Sequence, residues 1–240
     1  MKVSLIIPYY GDRRAQLERS LPFLENQTYP DYEVIFVDDG AKGGLPEFST
    51  VFRYIKLREY TGKIRSPNKA IRLGFAESVG DFIIASQPEL LIPYDAVERM
   101  VKIANMGRRN VATQYHLTNS QIFQLRNLPG WQQDFDKIKS VVDFASTITP
   151  WDYPNILAPT YRTHFSFSGS TRERFQEYLI PDTVEWMMED CWVHVKELGN
   201  GELSVPVDIE TYHQEHERVY GRIIEYSARI KRIREALYRG

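Results

Sequence analysis

The chain has 240 residues, 42% of them hydrophobic and 26% charged, with a formal net charge of −2 at pH 7. That size allows one domain with a full hydrophobic core, and the missing basic excess argues against a nucleic-acid protein. Cys191 is the only cysteine, so no intrachain disulfide can form; with no apolar run long enough to span a bilayer and no signal-peptide pattern, the expected location is cytoplasmic.

Residues 3–7 and 34–37 are apolar runs about thirty residues apart, the spacing of a βαβ unit whose two strands lie parallel in one sheet. Between them Leu17, Leu21 and Leu24 share a helical face, and Pro22 within it is predicted to kink or shorten that helix. The second run ends in Asp38-Asp39-Gly40. Ligands of parallel sheets sit at the carboxyl ends of the strands, where two carboxylates are poised for a polar ligand or a metal; the plainer alternative is an Asp-Gly turn.

A third strand is predicted over 52–57, followed by a helix that Ser66-Pro67 caps and opens, with Ala70, Ile71, Leu73 and Ala76 on its apolar face. Residues 81–85 read as the fourth strand. Pro93 opens another helix with Val97, Met100, Val101 and Ala104 inward, and 111–114 reads as a further strand. Over 115–165 the periodicity is poor and Pro129-Gly130, Pro150, Pro154 and Pro159 interrupt it, so this stretch reads as a loop-rich insertion that sets specificity. Helices near 171–178 and 189–198, the latter closed by Gly199-Asn200-Gly201, a strand over 203–207 and a helix over 220–238 complete the pattern.

The segments Val3-Ser4-Leu5-Ile6-Ile7-Pro8-Tyr9-Tyr10, Glu33-Val34-Ile35-Phe36-Val37-Asp38-Asp39-Gly40, Gly80-Asp81-Phe82-Ile83-Ile84 and Glu189-Asp190 resemble the family 2 glycosyltransferases of the GT-A fold, most strongly over 3–93 and moderately over 165–201. The resemblance implies an α/β architecture: a Rossmann-like, mostly parallel central sheet flanked by helices, with a C-terminal amphipathic helix. It divides the chain into one transferase domain over 1–217, with a nucleotide-sugar half over 1–93 and an acceptor half over 94–217, and a basic helix over 218–240. The implied activity is metal-dependent, inverting transfer of a sugar from a nucleotide diphosphate to a hydroxyl of a glycan or a lipid-linked acceptor. Uridine donors come first, with guanosine and thymidine donors open. The Gln-x-x-Arg-Trp segment and membrane helices of the family's processive synthases are missing, which implies single additions.

Such a transfer needs a slot for base and ribose, a cation for the diphosphate and a base for the acceptor. The resemblance places Pro8, Tyr10 and Asp39 around nucleobase and ribose with Asp38 adjacent, and either Tyr9 or Tyr10 stacking; Tyr10 reads equally well as a half-buried aromatic at the strand end. It brings Lys63, Arg65 and Asn68 to the donor, although Lys63 reads equally well as solvated surface. Where the family carries Asp-x-Asp after the fourth strand, this chain has Gln87-Pro88-Glu89. Glu89 takes the place of the last carboxylate and suits magnesium or manganese, with an exposed carboxylate in a turn as its alternative; Gln87 falls beside the donor. Tyr212-His213-Gln214-Glu215-His216 offers a second ligand, since two histidines three apart share a face if the segment is helical. Either histidine could instead contact the pyrophosphate or cap local structure.

Glu189 and Asp190 precede a predicted helix, where acidic residues favour the macrodipole by about 0.3–1 kcal/mol whatever the chemistry. By resemblance Asp190 takes the acceptor proton while the hydroxyl attacks the anomeric carbon opposite the diphosphate, and Glu189 orients a neighbour or holds the acceptor. Phe167-Ser168-Gly169-Ser170 matches a small-residue loop facing the acceptor sugar, Gly169 permitting close approach or merely turning the chain. Of Trp131, Trp151, Trp186 and Trp192, Trp186 is read as the acceptor-side ring. Arg218, Arg222, Arg229, Lys231, Arg232, Arg234 and Arg239 beside Ile223, Ile230, Ile233 and Leu237 form a basic amphipathic tail, fit for an anionic membrane surface, its own domain or a second copy. A non-catalytic nucleotide-sugar-binding protein is one alternative. A sugar nucleotidylyltransferase is the other, but it requires a glycine-rich basic loop where this chain has Pro8-Tyr9-Tyr10-Gly11-Asp12.

Overall fold

Apolar runs without polar alternation need burial on both faces, and they form the centre of the sheet in the computed structural model, which describes residues 1–42, 52–61, 66–104, 109–142, 167–181 and 205–215. The strands are β1 (Val3–Gly11), β2 (Tyr32–Ala41), β3 (Phe52–Arg58), β4 (Phe82–Ser86), β5 (Leu90–Leu91), β6 (Asn110–Leu117), β7 (Phe167–Thr171) and β8 (Val205–Gln214). The helices are α1 (Arg14–Glu25), α2 (Asn68–Glu77), α3 (Ala96–Lys102), α4 (Asn119–Arg126), α5 (Asp136–Val141) and α6 (Arg172–Glu177).

The strand order is β3-β2-β1-β4-β7-β6-β8-β5. β3, β2, β1 and β4 are mutually parallel, β7 runs against both β4 and β6, β6 and β8 are parallel, and β5 runs against β8. The sheet is therefore mostly parallel, as expected. Alternation along β1 sends Val3, Leu5 and Ile7 to a core shared with Leu17, Phe23 and Leu24 of α1 and Val97 and Met100 of α3, while Ile6 meets Ile71 of α2 and Phe175 of α6 on the other face. Helices on both faces make a three-layer α/β domain. Among the described residues no helix is long and apolar enough to cross a membrane.

Pro22 lies inside α1, which nonetheless reaches Glu25, so the proline does not shorten it. Ser66 Oγ accepts from the Asn68 N–H at 3.3 Å, and α2 begins at Asn68 just after Pro67. Three expectations change. Within the stretch read as loop-rich, α4 and α5 form; Thr118 opens α4 through a capping box, its hydroxyl accepting from Gln121 N at 3.3 Å while the Gln121 side chain accepts from Thr118 N at 2.9 Å. Phe167-Ser168-Gly169-Ser170 is not a loop but most of the buried strand β7 between β4 and β6. A Cβ on Gly169 would stand 2.7 Å from Phe82 Cε1 and 3.1 Å from the Ile83 carbonyl, so close strand packing accounts for the glycine. The strand expected over 203–207 is β8 and continues to Gln214, so His213 follows strand alternation rather than helical spacing. The helices expected over 189–198 and 220–238 lie outside the described residues.

At the end of the sheet away from Asp38 and Asp39, Glu33 ties three segments together. Its Oε1 accepts from Ser4 Oγ at 2.7 Å and Val79 N at 3.0 Å, and Oε2 accepts from Arg53 at 3.1 Å. A Cβ on Gly80 would lie 2.5 Å from Ser4 N, so glycine lets this crossing close. Burial alone would raise the Glu33 pKa, but the bonds from Ser4, Val79 and Arg53 outweigh it and hold it below the ordinary 4.5. Its stabilisation is therefore present above that value and lost as pH falls through the lower folded value. Glu33→Ala is expected to cost about 2–3 kcal/mol in urea unfolding at pH 7, with the difference from the parent protein shrinking in acid.

Candidate functional site

Because β2, β1 and β4 are adjacent and parallel, their carboxyl ends place Asp38-Asp39-Gly40, Tyr9-Tyr10-Gly11 and Gln87-Pro88-Glu89 along one edge. The chain leaves β1 toward β2 on one side and returns to β4 on the other, the switch point where α/β sheets open a ligand crevice.

The two aspartates do different things. Asp38 Oδ1 accepts from Gly40 N at 3.0 Å and Ala41 N at 2.7 Å, and Oδ2 accepts from Tyr54 OH at 2.5 Å. Asp38 thus shapes the strand end, as the turn alternative has it. Gly40 sits at φ 93 with the Glu59 carbonyl 3.0 Å from where a Cβ would be, so only glycine fits both constraints. Burial and then the bond to Asp38 push the Tyr54 phenol far up. Asp39 pairs with Arg58, its register partner on β3; its side chain is 3% exposed and that of Arg58 27%. Tyr9 is fully buried, which pushes its phenol up to about 12, and Pro8 is buried in β1. Tyr10 is half-buried and has the Arg13 guanidinium 5.6 Å from its ring centroid, so Tyr10 rather than Tyr9 offers a face to the crevice.

Glu89 is the second centre. Its side chain is only 5% exposed, and Oε1 lies 3.3 Å from His213 Nε2 and 3.8 Å from Arg13 Nε. The pairing of Leu90 with His213 across β5 and β8 creates this approach. The Glu89 carbonyl accepts from Gln214 N at 3.2 Å and Gln214 Nε2 at 3.0 Å, and Arg19 donates to Gln214 Oε1 at 2.5 Å, so α1, β5 and β8 fix the backbone beneath the carboxylate. A hard cation with ligands at about 2.1 Å holds adjacent ligand atoms about 3 Å apart. The 3.3 Å between Glu89 and His213 fits two neighbouring ligands of one ion. Among the described residues no group of three or more His, Cys, Asp or Glu could hold a metal.

Asn68 is buried at the start of α2, where it lines a small pocket with Ile71, Arg109, Ser168, Phe175 and Tyr178. Gln87 is half-buried, its carbonyl accepting from Leu90 N at 3.3 Å. Lys63, Arg65, Trp186, Glu189, Asp190 and His216 lie outside the described residues. Sequence reasoning missed Arg13, Tyr54 and Arg58. Arg58 closes a strand that ends beside Asp39, but that register belongs to the folded sheet. Arg13 and Arg14 carry no signal in the sequence beyond two adjacent charges at the helix start.

The family model for glycosyl transferase family 2 matches residues 4–154. The chain is 32% identical over 124 residues to the undecaprenyl-phosphate 4-deoxy-4-formamido-L-arabinose transferase of Serratia proteamaculans, covering 47% of this chain and 36% of that protein. It is 27% identical over 183 residues to the transferase of the same name from Pseudomonas fluorescens, covering 72% of this chain and 50% of that protein. The chain thus spans half or less of these curated relatives. In fold it is similar to the mannosyltransferase PcManGT from Pyrobaculum calidifontis, solved in complex with GDP-Man and Mn2+, at TM-score 0.58 and 17% identity over 91% of this chain and 58% of that one. It is also similar to S. aureus TarS 1-349 in complex with UDP-GlcNAc, at TM-score 0.56 and 13% identity over 91% of this chain and 60% of that one. A GT-A sheet, and a family match over more than half the length, mean that this chain belongs to glycosyl transferase family 2.

Proposed function

We propose that the protein is a metal-dependent, inverting glycosyltransferase that adds a single sugar from a nucleotide diphosphate donor, a UDP-sugar first, to a hydroxyl of a glycan or lipid-linked acceptor. The observation that carries this reading is the pair Glu89 and His213, 3.3 Å apart at the switch point of the sheet, on the same edge as Asp39 and Tyr10. Tyr10 stacks on the base and Asp39, held by Arg58, accepts from base or ribose. Glu89 and His213 hold manganese or magnesium, which when bound neutralises charge on the departing diphosphate. Lys63, Arg65, Asn68 and Gln87 approach the donor, and His216 flanks the metal side. Asp190 takes the acceptor proton; Glu189 and Trp186 hold the acceptor. The relatives named for undecaprenyl phosphate support a lipid-linked acceptor, and with it peripheral contact of the basic tail with the inner face of a membrane. The neighbours solved with GDP-Man and Mn2+ or with UDP-GlcNAc support a nucleotide-sugar donor.

The test is thermal stabilisation by uridine, guanosine, thymidine, adenosine and cytidine diphosphates, each with and without manganese. A ligand at a hundredfold its dissociation constant adds about 2.7 kcal/mol of stability. One nucleotide is expected to give a shift that requires manganese. A shift indifferent to manganese would favour a metal-free transferase or a non-catalytic binding protein, and no shift with any nucleotide would sink the reading.

A further inference from the structure

We propose that Arg13 is a built-in counter-ion to Glu89 that makes cation binding conditional on the donor diphosphate. The proposal rests on the donor and metal reading just given and names a regulatory coupling within that site.

Arg13 lies between β1 and α1, and its side chain is only 12% exposed although it occupies a loop. Its Nε stands 3.8 Å from Glu89 Oε1, and its guanidinium lies 5.6 Å from the Tyr10 ring centroid. It therefore bridges the cation side and the base side of the crevice. Arg13 occupies the N-cap position of α1, where a guanidinium, having no acceptor, cannot cap the first-turn N–H groups, so helix start does not explain its placement.

Charge decides the consequence. An Asp-x-Asp would bring two carboxylates to a cation, whereas Gln87-Pro88-Glu89 brings one, and the positive Arg13 offsets it. Among the described residues the Glu89–Arg13 pair carries no net charge, and a divalent ion approaching it is repelled by the guanidinium. A nucleoside diphosphate supplies several negative oxygens, and a planar guanidinium binds phosphate oxygens in paired hydrogen bonds. The diphosphate draws Arg13 off Glu89, and the freed carboxylate joins His213 and the phosphates around the ion. Cation and diphosphate then bind with positive coupling, each raising the other's affinity by the same factor. A cation that stays only with the diphosphate also leaves with it.

The experiment measures manganese affinity by electron paramagnetic resonance of the free ion, alone and with saturating UDP or GDP, in the parent protein, Arg13→Gln, Arg13→Lys and Glu89→Gln. The parent is expected to bind manganese at least about tenfold more tightly with nucleotide than without. Arg13→Gln is expected to bind manganese alone at least about tenfold more tightly than the parent and to lose about tenfold in nucleotide affinity, so that the coupling shrinks. Arg13→Lys keeps the charge and stays close to the parent without nucleotide. Glu89→Gln is expected to abolish manganese binding without nucleotide and, with nucleotide, to leave no more manganese bound than the nucleotide alone binds in solution. Unchanged or weaker manganese binding by Arg13→Gln alone, with melting temperature preserved, overturns the proposal. If no nucleoside diphosphate of the stabilisation panel binds the parent with manganese, the donor reading fails instead. In that event, tighter manganese binding by Arg13→Gln upholds the counter-ion but overturns its coupling to a donor.

Discussion

Glu89→Gln is expected to keep the fold and lose roughly 100- to 1,000-fold in transfer rate, the scale seen when one group stabilising developing charge is removed. The substitution preserves shape and deletes charge. What fixes the segment beneath the side chain is main-chain chemistry, since Gln214 bonds the Glu89 carbonyl through both its backbone and its amide. Those bonds survive, so a melting temperature close to the parent's is expected and separates chemistry from folding. Donor affinity in the presence of manganese falls together with the rate, because a cation shared by protein and diphosphate belongs to both. The measurement is transfer from the nucleotide sugar chosen by the stabilisation panel, over a manganese titration. Activity within about threefold of the parent at all manganese concentrations would show that Glu89 only balances Arg13 and His213, and that another group meets the diphosphate.

The parts of this site that could be read from sequence are those set locally. Apolar runs at 3–7 and 34–37 demand burial on two faces, so β1 and β2, with Asp38 and Asp39 at the carboxyl end of β2, were legible. Segments placed by their neighbours were not. Ser168, Gly169 and Ser170 are poor strand formers that read as a loop, yet their small volume is what lets β7 lie between β4 and β6 against Phe82. The two-residue β5 carries no periodicity at all, but its register with β8 is what brings His213 to Glu89. The capping box of Thr118 and Gln121 was present to be read and was hidden by the surrounding prolines. Asp38 and Asp39 are identical in sequence; only the positions of Tyr54 and Arg58 on β3 show that one shapes the loop and the other pairs with Arg58.

Asp190→Asn is expected to retain nucleotide binding and lose roughly 100- to 10,000-fold in transfer, the range of a positioned general base. The size of the loss depends on the acceptor. A hydroxyl is a poor nucleophile until its proton is taken, and asparagine cannot take it. A phosphate monoester is already largely ionised near pH 7, since its second pKa is about 6, and needs no base. The variant therefore reports on the acceptor class as well as the residue. The proposed hydroxyl acceptor requires the large loss in kcat with the manganese-dependent nucleotide shift intact, and a much smaller effect from Glu189→Gln, seen mainly as a raised KM for the acceptor. Retention of most of the rate in Asp190→Asn would exclude a hydroxyl activated by this carboxylate, and the undecaprenyl-phosphate transferases that the chain resembles make an ionised phosphate the next acceptor to test. Loss of the nucleotide shift itself would move Asp190 from the acceptor side to the donor side of the site.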